Sequence, residues 1–218
     1  MIVPPSITPL PGIEIYDKIE VLGLAPDYQT FPSSEKAIFD QLVAKHAPKT
    51  IIEVGTHKGG SAVRWARAAG KECRIYCVDT WLESAQAILC PSRSYPLLHQ
   101  NGHPMTYWQF LNNMKTLRLH EQITPILNTS SEGAIILAAH RIAAPIIFID
   151  GSHTFRTSYD DISDYWKLLE PGGSMLIDDM TLYPYVYAAI MRFVAENELW
   201  RNFEPAEDKM FGLLTKPS

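Results

Sequence analysis

Apolar residues along this chain fall into two alternating patterns. Short continuous runs, TIIEV (50–54), RIYCVD (74–79), ITPIL (123–127), PIIFID (145–150), GSMLID (173–178) and KMFGLLT (209–215), are too brief for helices and rich in β-branched residues, which predicts buried strands. Between them, apolar residues recur at helical spacing in GSAVRWARAAG (60–70), around YWQFLNNMKTL (107–117), and in SEGAIILAAH (131–140), RTSYDDISDYWKLLE (156–170) and YVYAAIMRFVAENEL (185–199). One more helix is expected ahead of the first strand, in PSSEKAIFDQLVAKHAP. It has Ser33 or Ser34 as its N-cap, a stripe of Ile38, Leu42 and Val43, and a stop at Pro48. Strands that are apolar throughout, rather than every second residue, belong to a parallel sheet covered on both faces, because parallel strands require helical crossovers. The fold class is therefore α/β, doubly wound.

Two segments break the rhythm. Residues 1–32 are rich in proline and turn formers and read as an arm lying over a domain that occupies 33–218. The stretch WLESAQAILCPSRSYPLLHQNGHP, residues 81–104, has prolines and no period, and reads as an insertion near the functional edge of the sheet.

Bulk properties narrow the partners. A chain of 218 residues with 46% hydrophobic residues can bury one sizeable core, so one domain is expected. A net charge of −5 with no Lys/Arg cluster removes the footprint that nucleic acid or an anionic membrane would need and favours small-molecule partners. Cys73, Cys77 and Cys90 are odd in number and show no metal-binding spacing, which fits a reducing cytoplasm. The opening MIVPPSITPLPG lacks the apolar core of a signal peptide, and no run of 18 apolar residues occurs. Assembly as a homo-oligomer is left open.

The candidate chemistry begins where the first strand enters a glycine turn, IIEVGTHKGGSAVRWAR. In open α/β sheets that is where ligands bind. Gly55, Gly59 and Gly60 give G-x-x-x-G-G, which is neither the dinucleotide fingerprint nor a P-loop. Glu53, two residues before the first glycine, would repel a pyrophosphate and suit a cationic amine. A glycine turn, a capping acid or a core tryptophan would each also explain these residues one at a time; the combination favours a cofactor.

The pattern E-x-G-x-x-x-G, together with the order of strands and helices from about residue 33 to 215, resembles the class I S-adenosylmethionine-dependent methyltransferases. That resemblance implies a seven-stranded, mostly parallel, Rossmann-like sheet. It also implies that Glu53, Gly55, His57, Gly59 and Ser61 surround the methionine part of the cofactor, and that Asp79 accepts hydrogen bonds from its ribose. By the same resemblance Trp81 would wall the adenine, and Ser130 and Ser131 would contact it.

Two further strands end in acids. IIFIDGSH stops at Asp150, and GSMLIDDM stops at Asp178 and Asp179. If these strands are parallel neighbours joined by a right-handed crossover, their tips lie about 5 Å apart at the same edge, facing the cofactor. Carboxylates so close cannot all stay ionised without a compensating cation: either one takes up a proton or a metal binds among them. Hard oxygen donors select Mg2+, with Mn2+ or Ca2+ as alternatives.

This arrangement is similar to catechol O-methyltransferase and to the metal-dependent methyltransferases that act on sugar hydroxyls of macrolides and glycosides. The resemblance implies Asp150, Asp178 and Asp179 as metal ligands, with Asp150 also near the cofactor, and a general base three residues after the first ligand, at His153. The catechol enzymes carry a lysine at that place and no counterpart of the 81–104 insertion. The sugar-directed group carries the histidine. The expectation is a cytoplasmic, Mg-assisted O-methyltransferase acting on a sugar or polyol hydroxyl. A catechol or phenol methyltransferase and a non-catalytic cofactor-binding protein are the alternatives, and a nicotinamide dehydrogenase is disfavoured by the glycine spacing. Asp160, Asp161 and Asp164 receive no role, since a solvated helix face is their ordinary explanation. His46, His99, His103, His120 and His140 are expected at the surface or in packing.

Overall fold

A computed structural model describes residues 10, 12, 14–17, 25–28, 33–82, 99, 100, 102–206 and 210–218. Seven strands form one sheet: β1 (Thr50–Val54), β2 (Arg74–Asp79), β3 (Ile123–Leu127), β4 (Ala144–Ile149), β5 (Leu169–Ile177), β6 (Phe203–Pro205) and β7 (Gly212–Thr215), in the order β3-β2-β1-β4-β5-β7-β6. The first five are parallel; β7 runs antiparallel to β5 and β6 antiparallel to β7. The main helices are α1 (Ser33–His46), α2 (Gly60–Ala69), α3 (Met105–Thr116), α4 (Ser130–Ala139), α5 (Phe155–Trp166) and α6 (Pro184–Glu196).

Side-chain alternation along the strands divides the core in two. Ile51, Ile75, Cys77 and Phe148 meet Phe39, Leu42, Trp65, Phe110 and Met114 on the face covered by α1, α2 and α3. Ile52, Val54, Val78, Ile147 and Ile149 meet Leu137, Ile162, Tyr165, Ile190 and Phe193 on the face covered by α4, α5 and α6. The register aligns Val54 with Val78 and Ile149, and Ile149 with Ile177, so the strands deliver their carboxyl ends to one edge. Strand order reverses at β1, which places a switch point between β1 and β4.

The doubly wound sheet agrees with the sequence reading, and the differences have local causes. The helix predicted to run to Glu170 ends at Trp166, because Leu169 pairs with Ala144 in the sheet and Lys216 Nζ bonds the Trp166 and Leu169 carbonyls at 2.8 and 2.7 Å. Strand β6 gave no periodic signal, being three residues at a sheet edge with exposed Glu204 and Pro205. Within the expected insertion, His99–Gln100 and His103–Pro104 pair as a short antiparallel ladder. Residues 83–98 with Cys90, most of the 1–32 arm, and the side chains of Ser33 and Ser34 lie outside the described residues. Among the described residues no helix is long and apolar enough to cross a membrane.

Candidate functional site

A cavity of about 650 Å3 opens at the carboxyl edge of the sheet. It is lined by Gly55, His57 and Asp79, by Asp150, Gly151, Ser152 and His153, and by Asn128–Ser131 with Asp160 and Asp161. The volume falls within the range of small-molecule sites.

The glycine loop shapes part of the cavity. Gly55 has φ +85°, and a Cβ there would lie 2.0 Å from the Asp150 carbonyl oxygen, so only glycine lets the exits of β1 and β4 approach this closely. His57 lines the wall, and its N–H donates to Asp79 Oδ2 at 2.7 Å. Glu53, expected beside the cofactor, does not line the cavity: alternation along β1 turns it toward α2, and it is fully buried beneath the loop. There Ser61 Oγ donates to Glu53 Oε1 and Cys77 Sγ lies 3.4 Å from Oε2. Burial pushes the Glu53 carboxyl up to about 7 despite these bonds. Ser61 is buried with it, and Gly59 faces Met114 and Phe110, so both support the loop from below.

Asp79 ends β2 and lines the cavity. Its carboxylate accepts from the His57 and Trp81 amides, each at 2.7 Å, while burial raises its pKa against those bonds. Trp81 is the residue expected to wall the adenine. It borders the cavity, but its ring is 1% exposed, packs on Tyr107 and Phe110, and donates from Nε1 to the His57 carbonyl at 2.6 Å. Its flat faces serve the core, and Leu82 beside it is exposed into the opening. Thr129 caps α4, accepting from the Glu132 amide; Ser130 and Ser131 open the helix on the cavity wall. Ser130 Oγ donates to Asp161 Oδ1.

Asp161 lies on that wall although the sequence gave it no role. It is 5% exposed and shares the buried face of α5 with Ser158, Ile162 and Tyr165. The signal was available in that spacing, because an acid inside an apolar stripe is not on a solvated face.

The strand-tip acids do converge. Asp150, His153 and Asp179 each present a ligand atom, and all three atoms lie within 4.8 Å of one another. His153 Nε2 is 2.8 Å from Asp179 Oδ2 without hydrogen-bond alignment, and its ring stacks on Tyr183 at 4.1 Å with planes 1° apart. Burial raises the Asp150 carboxyl well above the ordinary range, and the charges of Asp178 and Asp179 raise it further. The grouping differs from the expected ligand set. Asp178 Oδ1 accepts the Asp179 amide at 2.6 Å and stands beside the cluster, while His153 stands in it. Asp179 joins the cluster with φ +60°, a positive φ that His57 and Trp81 also adopt on the cavity wall. Of the other histidines, His46 bonds Ser174, His103 packs on Tyr107 and Trp108, and His120 packs on Tyr16.

A glycine turn after β1, an acid closing β2 and an acid at the tip of β4 line one cavity, with Asp179 after β5 clustered beside it, and together with the sheet they define the class I methyltransferase architecture. Solved structures share it. A protein of Staphylococcus aureus described as a caffeoyl-CoA O-methyltransferase aligns with a TM-score of 0.63 at 13% identity, covering 94% of this chain and 91% of its own. The O-methyltransferase of Bacillus cereus in complex with SAH aligns with a TM-score of 0.58 at 15% identity, covering 93% and 88%. A calicheamicin methyltransferase aligns with a TM-score of 0.60 at 14% identity, covering 84% and 78%. In sequence, an uncharacterized protein of Acanthamoeba polyphaga mimivirus is 32% identical over 151 residues, which are 67% of this chain; the chain spans 60% of that relative's length. The chain belongs to the methyltransferase domain family, whose model matches residues 52–180.

Proposed function

We propose that this protein is an S-adenosylmethionine-dependent O-methyltransferase, assisted by a divalent cation, that methylates a hydroxyl of a sugar or polyol. One observation carries the reading: Asp150, His153 and Asp179 gather their ligand atoms within 4.8 Å of one another, at a cavity that the glycine loop and Asp79 also line. Family membership and the O-methyltransferase neighbours support the methyl donor.

The donor set fits a hard dication. Two carboxylates and an imidazole converge, and Asp150 is held protonated well above the usual carboxylate range by burial and by neighbouring negative charge, which a cation would relieve. Asp150 and Asp179 would hold Mg2+, with Mn2+ or Ca2+ as alternatives, and Asp178 adds charge beside them. A bound cation would acidify an acceptor hydroxyl and favour an acceptor with two adjacent oxygens, which suits a sugar. Asp79 would hold the ribose hydroxyls, and Gly55 and His57 the methionine part.

His153 is the base in this scheme. Stacking on Tyr183 fixes the ring plane, and contact with Asp179 fixes its rotation. Nε2 takes the acceptor's proton as that oxygen forms its bond to the methyl carbon and the carbon–sulfur bond breaks, leaving a neutral thioether. Holding both reactants in line can contribute roughly 7–11 kcal/mol of barrier lowering.

A second reading makes His153 the third ligand, favoured by its membership in the cluster. His153→Ala separates the two. As base, its loss lowers turnover by about 10²- to 10⁴-fold with Mg2+ and cofactor affinity nearly unchanged; as ligand, its loss weakens Mg2+ binding measured by calorimetry. Unchanged turnover would remove His153 from the chemistry, and full activity in excess chelator would remove the cation. Parallel assays with glycosides and simple catechols test the acceptor class.

A further inference from the structure

We propose that Trp81 is a positioning residue for the glycine loop: its indole N–H, acting with the Asp79 carboxylate, latches His57 at the positive φ that gives the loop its shape. The inference rests on the reading that this loop holds S-adenosylmethionine.

Through the loop the sign of φ alternates, with +85° at Gly55, +49° at His57 and +88° at Gly59. Glycine takes such angles freely, whereas a residue with a Cβ is strained there. Of these three positions, His57 alone carries a side chain, so it alone needs an outside hold.

That hold is a closed circuit of three residues. The His57 N–H donates to Asp79 Oδ2 at 2.7 Å, the Trp81 N–H donates to Asp79 Oδ1 at 2.7 Å, and Trp81 Nε1–H returns to the His57 carbonyl at 2.6 Å. Both main-chain polar groups of His57 are thereby tied to the loop that follows β2. Trp81 itself has φ +52°, so each strained residue helps to hold the other through Asp79. The indole is fixed in this task, being 1% exposed and packed on Tyr107 and Phe110 with ring centroids at 4.8 and 5.0 Å. A phenylalanine in the same slot would keep the ring stacking and lose the donor.

Backbone strain of this kind persists only where the surroundings enforce it. With the indole N–H removed, one of the two bonds that enforce it at His57 is gone, and the ligand would have to restore the loop as it binds. Calorimetric titration of S-adenosylhomocysteine into wild type, Trp81→Phe, His57→Gly and the double variant tests this. Trp81→Phe should weaken binding by about 5- to 30-fold, the equilibrium factor that corresponds to the strain of one such residue. Glycine at position 57 carries no strain, so in the His57→Gly background the same change should weaken binding by no more than about threefold. The imidazole lost in His57→Gly cancels in this comparison. A tryptophan that merely fills the core would lower the urea midpoint of Trp81→Phe and weaken binding equally in both backgrounds. Equal losses, or no loss in Trp81→Phe, overturn the inference. If Trp81→Phe does not fold, a crystal structure of the wild type decides: an indole nitrogen out of hydrogen-bond reach of the His57 carbonyl overturns the latch, and one within reach with φ positive at His57 supports it. A wild type that binds no S-adenosylhomocysteine overturns the proposed function and this inference together, a result distinct from any confined to the variants.

Discussion

At the scale of single residues, burial decides which acids can act. Glu53 read as a ligand contact because it precedes the glycine turn, but strand alternation cannot tell which of two buried faces a side chain enters. Here it enters the α2 face and is sealed by Ser61 and Cys77. The folded carboxyl titrates near 7, whereas the unfolded one titrates near its ordinary 4.5. A raised folded pKa means that the carboxyl's contribution to stability is fully present below 4.5 and lost as pH rises through 7. The cost of holding the anion at high pH is about 3 kcal/mol as an upper bound. Glu53→Gln, which keeps an oxygen for the Ser61 hydroxyl, should match wild type in urea unfolding at pH 4 and exceed it by up to about 3 kcal/mol at pH 8.5. A difference that does not change with pH would show that Glu53 is not an enclosed titrating group. Asp161 illustrates the reverse error. The acid-rich run of α5 suggested solvent, although the helical spacing of Ser158, Asp161, Ile162 and Tyr165 already marked one face as buried.

At the scale of elements, the sequence specified β1, β2 and β3 to the residue, because continuous β-branched runs bounded by glycine, aspartate or asparagine have no competing helical pattern. It lost β6 and the start of β5, where pairing partners rather than local pattern create the strand. The convergence of strand tips was also legible, since it needs only parallel topology; which donor atoms meet was not, because Asp179 joins the cluster with a positive φ. The junction of β1 and β4 is the least tolerant part of this edge. Gly55→Ala must accommodate a methyl 2.0 Å from the Asp150 carbonyl oxygen and 2.7 Å from Gly151 Cα, as well as φ +85°. Gly70→Ala meets a similar φ of +76° with nothing within 4 Å. Gly70 has ψ 169°, a backbone region essentially confined to glycine, so Gly70→Ala should lose roughly 1–3 kcal/mol in urea unfolding. Gly55→Ala should lose about 2–5 kcal/mol, since overpacking adds to the strain, and should also impair ligand binding. Equal losses in the two variants would show that β1 and β4 can separate freely.

At the scale of the molecule, residues 25–28 lie on the domain and are joined to the glycine loop through the side chains of Asn113 and Lys58. Asn113 in α3 is fully buried; its Oδ1 accepts the Asp27 amide and Gln109 Nε2, both at 2.9 Å, while its Nδ2 donates to the Asp27 carbonyl at 2.7 Å and the Lys58 carbonyl at 2.9 Å. Lys58, between Gly55 and Gly59, pairs with Asp27 as well. Arm, α3 and glycine loop thus share one saturated polar node, so the loop that shapes the cavity takes part of its conformation from a segment far away in sequence. Where residues 25–28 land could not be read from the sequence, because asparagine in a helix has no pattern that names its partners. Asn113→Ala leaves the Lys58 and Asp27 carbonyls without their donor in a buried site, which should cost about 2–4 kcal/mol. Gln109→Ala removes its Nε2 bonds to Asn113 Oδ1 and to the Ala25 carbonyl, the latter exposed, and leaves Asn113 bonded to Asp27 and Lys58, so its cost should stay near about 1 kcal/mol. S-adenosylhomocysteine binding should follow the same order, weakened in Asn113→Ala and retained in Gln109→Ala. If Asn113→Ala unfolds at a lower urea concentration yet binds the ligand as wild type does, the arm stabilises the fold without setting the loop, and the cavity's shape belongs to β1 and β4 alone.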